Sequence, residues 1–87
     1  MACLCKIPAG QILKDIVAEL EKAKEKHPFF PLDAVGRCSI MMEEAGEAVQ
    51  AANDVMWANG DKEHLKNELK QTAAMCIRIL EAMENEE

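Results

Sequence analysis

Apolar residues recur every three or four positions through two long stretches of this 87-residue chain, and only a short polar turn separates the stretches. That spacing places the apolar residues on one side of an α-helix. The turn, Asn59-Gly60-Asp61, combines a glycine of the kind that ends helices with an aspartate of the kind that caps them. Because short connections join antiparallel neighbours, we predict a long helical hairpin over about 34–58 and 62–83.

Each segment of the hairpin carries an apolar stripe, and we expect the two stripes to pack against each other as the core. On the second helix the stripe comprises Cys38, Met41, Met42, Ala45, Val49, Ala52 and Met56. On the third helix it comprises Leu65, Leu69, Thr72, Ala73, Cys76, Ile79, Leu80 and Met83. The four cysteines of the chain lack the spacing of zinc sites or disulfide frameworks. We therefore predict that Cys38 and Cys76 are reduced, buried thiols.

A first helix precedes the hairpin, from about Gln11 to Lys26, and Pro28 ends it because proline disfavours helical backbone in the residue before it. In this interpretation residues 1–10 form an arm and residues 84–87 an acidic tail. The apolar stripe of the first helix comprises Leu13, Ile16, Val17, Leu20 and Ala23.

Hydrophobic residues make up 49% of the chain but aromatic residues only 3%, a composition that suits packed helices better than strands. We therefore predict one all-α domain over residues 1–87. A chain this short buries only a modest share of its apolar surface by itself. We accordingly expect the chain to oligomerise, so that a partner copy supplies further apolar surface.

Sixteen acidic residues against ten basic ones give a net charge of −6, which opposes binding to polymeric nucleic acid and to anionic membranes. A nucleotide is still a suitable ligand, because a bound Mg²⁺ offsets both negative surfaces. The sequence contains neither a membrane-length apolar run, which needs about 18 residues, nor a signal peptide. We predict a cytoplasmic protein.

Acidic residues crowd one turn of the second helix, at Glu43, Glu44 and Glu47. Residues three or four apart share a helix face, and like charges at that spacing cost about 0.2–0.5 kcal/mol per pair. A hard divalent cation relieves such repulsion. Across the turn, Glu68 and Gln71 lie at a similar height on the antiparallel helix. Glu44, Glu47 and Glu68 can therefore converge on one cation.

The order and spacing of these residues resemble the MazG-like all-α nucleoside triphosphate pyrophosphohydrolases, whose pattern is E-E-x-x-E followed on the next helix by E-x-x-D. Residues 43–47 match the first half, and residues 68–71 match the second except that Gln71 replaces the aspartate. The resemblance extends over about residues 11–83. It implies a four-helix module built from dimers or tetramers that splits an NTP or dNTP into the monophosphate and pyrophosphate.

The resemblance also implies roles for single residues. Glu44, Glu47 and Glu68 would be ligands of Mg²⁺ or Mn²⁺, with Gln71 in place of the fourth ligand. A carboxylate among Glu43, Glu44 and Glu47 would activate the attacking water, and Glu43 would orient the site or that water. An amide oxygen can ligate Mg²⁺, but it carries no charge and cannot act as a base.

Substrate-binding residues are harder to assign from the sequence. Phe29, Phe30 and Trp57 are candidates for contacting the base, and the favoured alternative for the two phenylalanines is that they plug the end of the bundle. Lys70 is a candidate for the triphosphate, along with Lys66 and Arg78, and the alternative is that each is simply a solvated surface residue.

Three functional hypotheses follow. The first is a Mg²⁺-dependent nucleotide pyrophosphohydrolase, carried by the carboxylates. The second is a catalytically weak or inert relative that serves as a nucleotide-binding or helical oligomeric interaction module, suggested by Gln71. The third is an acidic helical hairpin with no site, which predicts no thermal shift with Mg²⁺ or Mn²⁺.

Overall fold

The computed structural model describes residues 9–86 and contains three helices within them: α1 (Ala9–Lys26), α2 (Ala34–Trp57) and α3 (Lys62–Asn85). Within that range there is no strand, so the predicted all-α class is confirmed. Most of the predicted arm, including Cys3 and Cys5, lies outside the described residues. In the described part, no helix is both long enough and apolar enough to cross a membrane.

The ends of the outer helices differ from the prediction. Helix α1 begins at Ala9, inside the predicted arm, and α3 continues to Asn85, inside the predicted acidic tail. Pro8 precedes α1 in the sequence, and proline is well tolerated just before or at the start of a helix. After Met83 the chain contains neither glycine nor proline to end α3.

Side-chain caps begin the two helices of the hairpin, as predicted. Asp33 Oδ1 accepts a hydrogen bond of 2.7 Å from the backbone N–H of Gly36, and Asp61 Oδ1 accepts one of 2.9 Å from that of Glu63. Each bond satisfies a backbone N–H group that lacks a partner within its helix. Aspartate at these two positions therefore determines where α2 and α3 start.

The turn between α2 and α3 uses its two central residues in different ways. Asn59, not Gly60, adopts left-handed backbone, with φ of 57°, which asparagine tolerates better than most residues. Gly60 N–H donates to the carbonyl of Asp54 at 2.8 Å, and a Cβ at Gly60 would lie 2.7 Å from Asp54 Cβ. Glycine is thus required at position 60 because a side chain there would collide with α2, and not because of the backbone conformation of Gly60.

Helix α3 is the central element, since it packs against α2 in the hairpin and against α1 on another side. The predicted hairpin with an additional N-terminal helix is confirmed. The buried apolar residues are few and mostly small: Leu20, Ala48, Ala51, Ala74 and Met75. Alanine at these positions allows the helix backbones to approach closely.

Two buried arginines hold the loop between α1 and α2 against the end of the bundle. Arg78 donates to the carbonyl of His27 at 2.8 Å, and its guanidinium lies 4.4 Å from the ring centre of Phe30. Arg37 donates to the carbonyl of Pro31 at 2.7 Å and pairs with Glu86. Phe30 therefore packs as a plug between charged groups.

Several residues of the predicted apolar stripes face solvent, so the predicted core of the hairpin is wrong at these positions. Cys38 and Cys76 are exposed free thiols rather than buried ones. The exposed members of the stripes also include Met42, Val49, Met56, Leu69, Leu80 and Met83. The buried residues of α2 are Arg37, Ala48 and Ala51, and each lies one position before a member of the predicted stripe. One residue rotates a side chain by about 100° around the helix axis, which is enough to move a stripe from the interface to the surface.

Candidate metal centre

Three glutamates from the two helices of the hairpin converge at one point. Glu44 and Glu47 lie on α2 and Glu68 lies on α3, and each offers a carboxylate oxygen within 4.8 Å of the other two. We call these three residues the carboxylate cluster. Three of the four residues that the sequence assigned to metal binding are thus brought together.

Local structure explains why these side chains meet. The three-residue spacing of Glu44 and Glu47 directs both from one side of α2. The short turn sets the register of the antiparallel helix, so that Glu68 lies opposite them. The small buried side chains of Ala48 and Ala51, in the following turn of α2, keep the two helices close.

The carboxylate cluster is poorly compensated by the rest of the protein. Glu68 is only 8% exposed, and among the described residues its Oε2 has no hydrogen-bond partner; the buried Oε2 of Glu44 likewise has none. The nearest positive group is His64 Nε2, 4.0 Å from Glu68 Oε1, and it is positive only when protonated. Buried carboxylate oxygens without partners are costly and call for a cation or a proton.

Both buried carboxyls respond to this environment. Burial, followed by repulsion from Glu47 and then Glu68, raises the pKa of the Glu44 carboxyl. Burial, followed by the charge of Glu47, raises the pKa of the Glu68 carboxyl, while His64 opposes the shift. The cluster therefore binds protons more readily than ordinary glutamates do, as expected of a site in which positive charge is missing.

The donor set fits a hard divalent cation. Carboxylate oxygens are the preferred protein ligands of Mg²⁺ and Mn²⁺, and two of the three residues present an oxygen that no group in residues 9–86 satisfies. The remaining coordination positions of such an ion are ordinarily filled by water and by phosphate oxygens of a substrate. The arrangement is suited to hold a metal–phosphate complex.

Glu43 and Gln71, the other two predicted site residues, lie in different places. Gln71 is half-buried on α3 and lines a cavity together with Glu44. Glu43 is exposed and does not join the carboxylate cluster; it borders a separate shallow depression beside Val35 and Met42. Gln71 therefore lies beside the predicted metal site, whereas Glu43 can act on it only from outside.

The cavity next to Glu44 has a volume of about 510 Å³. Helices α2 and α3 contribute Glu44, Asn67 and Gln71 to its wall, and α1 contributes Lys22 and Lys26, followed by His27 just after the helix. The remaining lining residues are Glu19, Ala23, Ala74 and Met75. Lys22 and Lys26 were not among the residues predicted from the sequence, because their spacing of one turn shows that they share a helix face but not which neighbouring helix that face meets.

The predicted substrate residues are not brought to this cavity. Phe29 and Trp57 are 92% and 80% exposed, and Phe30 is packed against Arg78. Lys70 Nζ forms an ion pair of 2.9 Å with Asp15 of α1, so it fastens α1 to α3. Of the other two cations considered for the triphosphate, Lys66 pairs with Glu63, and Arg78 is buried.

Comparison of the chain with protein-family models, with curated proteins and with solved structures gave no match. The interpretation of the site therefore depends on its own chemistry, and the resemblance noted in residues 43–47 and 68–71 stays a prediction.

Proposed function

We propose that this protein is a Mg²⁺-dependent nucleotide pyrophosphohydrolase of the MazG-like type, which converts an NTP or dNTP and water into the monophosphate and pyrophosphate. One observation carries the proposal: three carboxylates from two antiparallel helices converge within 4.8 Å, and two of them have a buried oxygen with no partner among the described residues. A cavity of small-molecule size adjoins them.

Each residue of the site has a role that follows from its position. Glu44, Glu47 and Glu68 would hold the ion, which when bound neutralises phosphate charge and polarises the phosphoryl group. Glu47 is the exposed member of the carboxylate cluster, so it is best placed to accept the proton of a water that attacks phosphorus. The amide of Gln71 can hydrogen-bond that water or a phosphate oxygen.

The proposal includes a homo-dimer. Large apolar residues are exposed on α2 at seven-residue intervals, the spacing of helices that pack against a partner. With their counterparts on α3 they form what we call the exposed seam: Val35, Met42, Val49, Met56, Leu69, Leu80 and Met83.

The two halves of the exposed seam lie on the same side of the hairpin. Val49 follows the buried Ala48, and Leu69 follows the buried Glu68. Moving one residue along a helix turns the side-chain direction by about 100° around the helix axis. Because α2 and α3 run in opposite directions, this turn carries Val49 and Leu69 from the interface to the same side of the hairpin. Lys70, which binds α1, points to the other side of α3. A second copy covering the seam would complete a four-helix bundle and leave the cavity beside α1 open.

The cellular site is also part of the proposal. Cys38 and Cys76 are free and exposed, an arrangement that suits a compartment in which thiols stay reduced. We therefore place the enzyme in the cytoplasm.

Release of pyrophosphate from a panel of NTPs and dNTPs tests the activity. With Mg²⁺ present we expect turnover by the wild type, and losses of at least about a hundredfold for Glu44→Gln and Glu68→Gln, because the metal loses a ligand. Glu25→Gln, an exposed glutamate on α1, is the matched control and should retain full activity. Absence of pyrophosphate with every nucleotide, or equal rates in all four proteins, would refute the proposal.

Gln71 favours a second candidate function, that of a weakly active or inert nucleotide-binding or helical interaction module. It stands beside Glu44 without a charge, where an aspartate would add a fourth carboxylate. Gln71→Asp discriminates between the two. A large gain in pyrophosphate release would show that the native site binds nucleotide with little turnover, whereas an unchanged or lower rate would favour the enzyme as it stands.

A further inference from the structure

The cavity beside the carboxylate cluster has two walls of different chemistry. One wall carries Glu44, Asn67 and Gln71 from the hairpin, and the other carries Lys22 and Lys26 of α1 together with Glu19, the ion-pair partner of Lys22. Its volume of about 510 Å³ lies within the usual range of small-molecule sites, roughly 300–1,000 Å³. A ligand that contacts both walls needs one group that coordinates a metal ion and another that accepts hydrogen bonds from the lysine ammonium groups.

The basic wall has positive charge that the protein does not neutralise. Lys22 pairs with Glu19 at 3.3 Å, whereas Lys26 forms no ion pair with any residue in the described range. Among the other lysines of the described range, Lys24 pairs with Glu81, Lys66 with Glu63 and Lys70 with Asp15. Lys14 and Lys62 form no ion pair within that range either, but neither lines the cavity, so Lys26 is the lysine of this wall whose charge is left for a ligand.

The end of α1 is arranged so that an anion can approach it. The C-terminal carbonyls of a helix carry partial negative charge and would repel phosphate. Here Arg78 donates to the carbonyl of His27 at 2.8 Å, and its guanidinium lies under the last turn of α1. The positive charge of the buried Arg78 offsets the partial negative charge of these carbonyls. The carbonyls therefore do not oppose the attraction of an anion to Lys26 and His27.

We infer that this cavity is the polyphosphate-binding subsite, in which Lys26 and Lys22, assisted by His27, bind the phosphates that extend beyond the carboxylate cluster. The inference rests on the proposed function and adds to it the residues that select a di- or triphosphate. Glu44 and Gln71 mark the end of the cavity where a metal-bound phosphate would lie, and the lysines lie across from them. A chain of two or three phosphates offers oxygens to both the metal and the lysines, whereas a monophosphate offers fewer, so the site favours longer phosphate chains.

Isothermal titration with methylenediphosphonate, a non-hydrolysable diphosphate without a base, tests the subsite at saturating Mg²⁺. We expect Lys22→Gln/Lys26→Gln to bind it about tenfold or more weakly than the wild type, because two charge-assisted contacts are removed. The double variant Lys14→Gln/Lys62→Gln removes the same charge from exposed lysines outside the cavity and should change the affinity by less than about twofold. Lys26→Arg, which keeps the charge, should retain most of the affinity.

Titration with Mg²⁺ alone separates this inference from the proposed function. If the cavity variant binds Mg²⁺ like the wild type but loses the diphosphonate, the subsite is supported. If wild type binds Mg²⁺ and not the diphosphonate, or if both double variants lose affinity equally, the subsite is refuted while the metal site stands. If wild type binds no Mg²⁺, both proposals fail.

Discussion

Removing one charge from the carboxylate cluster should stabilise the metal-free protein, although most substitutions of buried residues destabilise. The change is Glu68→Gln, which keeps the shape of the most buried carboxylate and replaces one oxygen by an amide that can donate to Glu44 or Glu47. In the wild type the Glu68 carboxylate has two acidic neighbours and an oxygen without a partner. The variant removes the repulsion and supplies a donor.

The size of the effect follows from the geometry. Two unit charges separated by 4.8 Å, the largest spacing in the cluster, repel by about 0.9 kcal/mol in water and about 3.5 kcal/mol at an effective dielectric constant of 20. Glu47 is exposed and Glu44 only half-buried, so solvent screens both pairs and lowers the cost. We expect a gain of about 1–2 kcal/mol at pH 7.5, or roughly 5–10 °C in Tm for a chain of this size.

Thermal unfolding with and without Mg²⁺ provides the assay, at one protein concentration because the proposed dimer makes Tm concentration-dependent. In EDTA, Glu68→Gln should unfold at a higher temperature than the wild type. Mg²⁺ at about a hundred times its dissociation constant should stabilise the wild type by about 2.7 kcal/mol and the variant by far less. The order of the two proteins should therefore reverse or converge on adding metal.

The control is Glu25→Gln, an exposed carboxylate on α1, which should leave both Tm values nearly unchanged. A Glu68→Gln protein that is less stable than the wild type in EDTA would show that the cluster is already neutralised by the fold. An undiminished Mg²⁺ shift in that variant would show that Glu68 is not a ligand. Either result would refute the reasoning.

Three further predictions concern pH, helix propensity and assembly. Because the folded-state pKa of Glu44 and Glu68 is raised above 4.5, their contribution to the stability of the metal-free protein is full below pH 4.5 and is lost as the pH rises through the raised pKa. Chemical denaturation from pH 4 to 8 should show this loss, Mg²⁺ should remove it at neutral pH, and a stability that rises over that range in EDTA would contradict it. Gly46→Ala should raise the free energy of unfolding by about 1 kcal/mol, since a Cβ there meets nothing within 4 Å and glycine is a poor helix former; a loss of stability would mean that another molecule covers Gly46. Val49→Glu should convert the dimer to a monomer in analytical ultracentrifugation, whereas Val17→Glu, at an exposed valine on α1, should not; a monomeric wild type would refute the exposed seam as an interface.

Features that depend on neighbours in the sequence were predicted well. Asp33 and Asp61 cap helices where aspartate was expected to, because a cap needs only a side chain and the next backbone N–H groups. Convergence of Glu44, Glu47 and Glu68 needed one further assumption, a tight antiparallel turn, which the short polar linker justified. These parts of the fold and of the site follow from spacing and turn length alone.

Features that depend on how a helix is rotated against its neighbour could not be predicted. Periodicity identifies an apolar stripe but does not show which of two adjacent stripes faces the other helix, and here Val49 and Leu69 are exposed while Ala48 is buried. The cavity depends on the rotation of α1 about its own axis, which places Lys26 toward Glu44. No local signal in α1 contains that information, because its contacts are made to α3, more than 40 residues later.

The misplaced stripe and the carboxylate cluster have a common physical origin. An interface between α2 and α3 built for monomer stability would contain the large apolar residues, yet it buries Glu68 and half-buries Glu44, with alanines beside them. Buried carboxylates without partners lower stability, and the large apolar side chains displaced to the surface leave half or more of their area exposed to solvent in a monomer. A bound cation would offset the cost of the buried carboxylates. A second copy of the chain would bury the exposed apolar side chains. The folded state of this small chain is therefore expected to depend on both, so that its stability should increase with metal and with protein concentration independently.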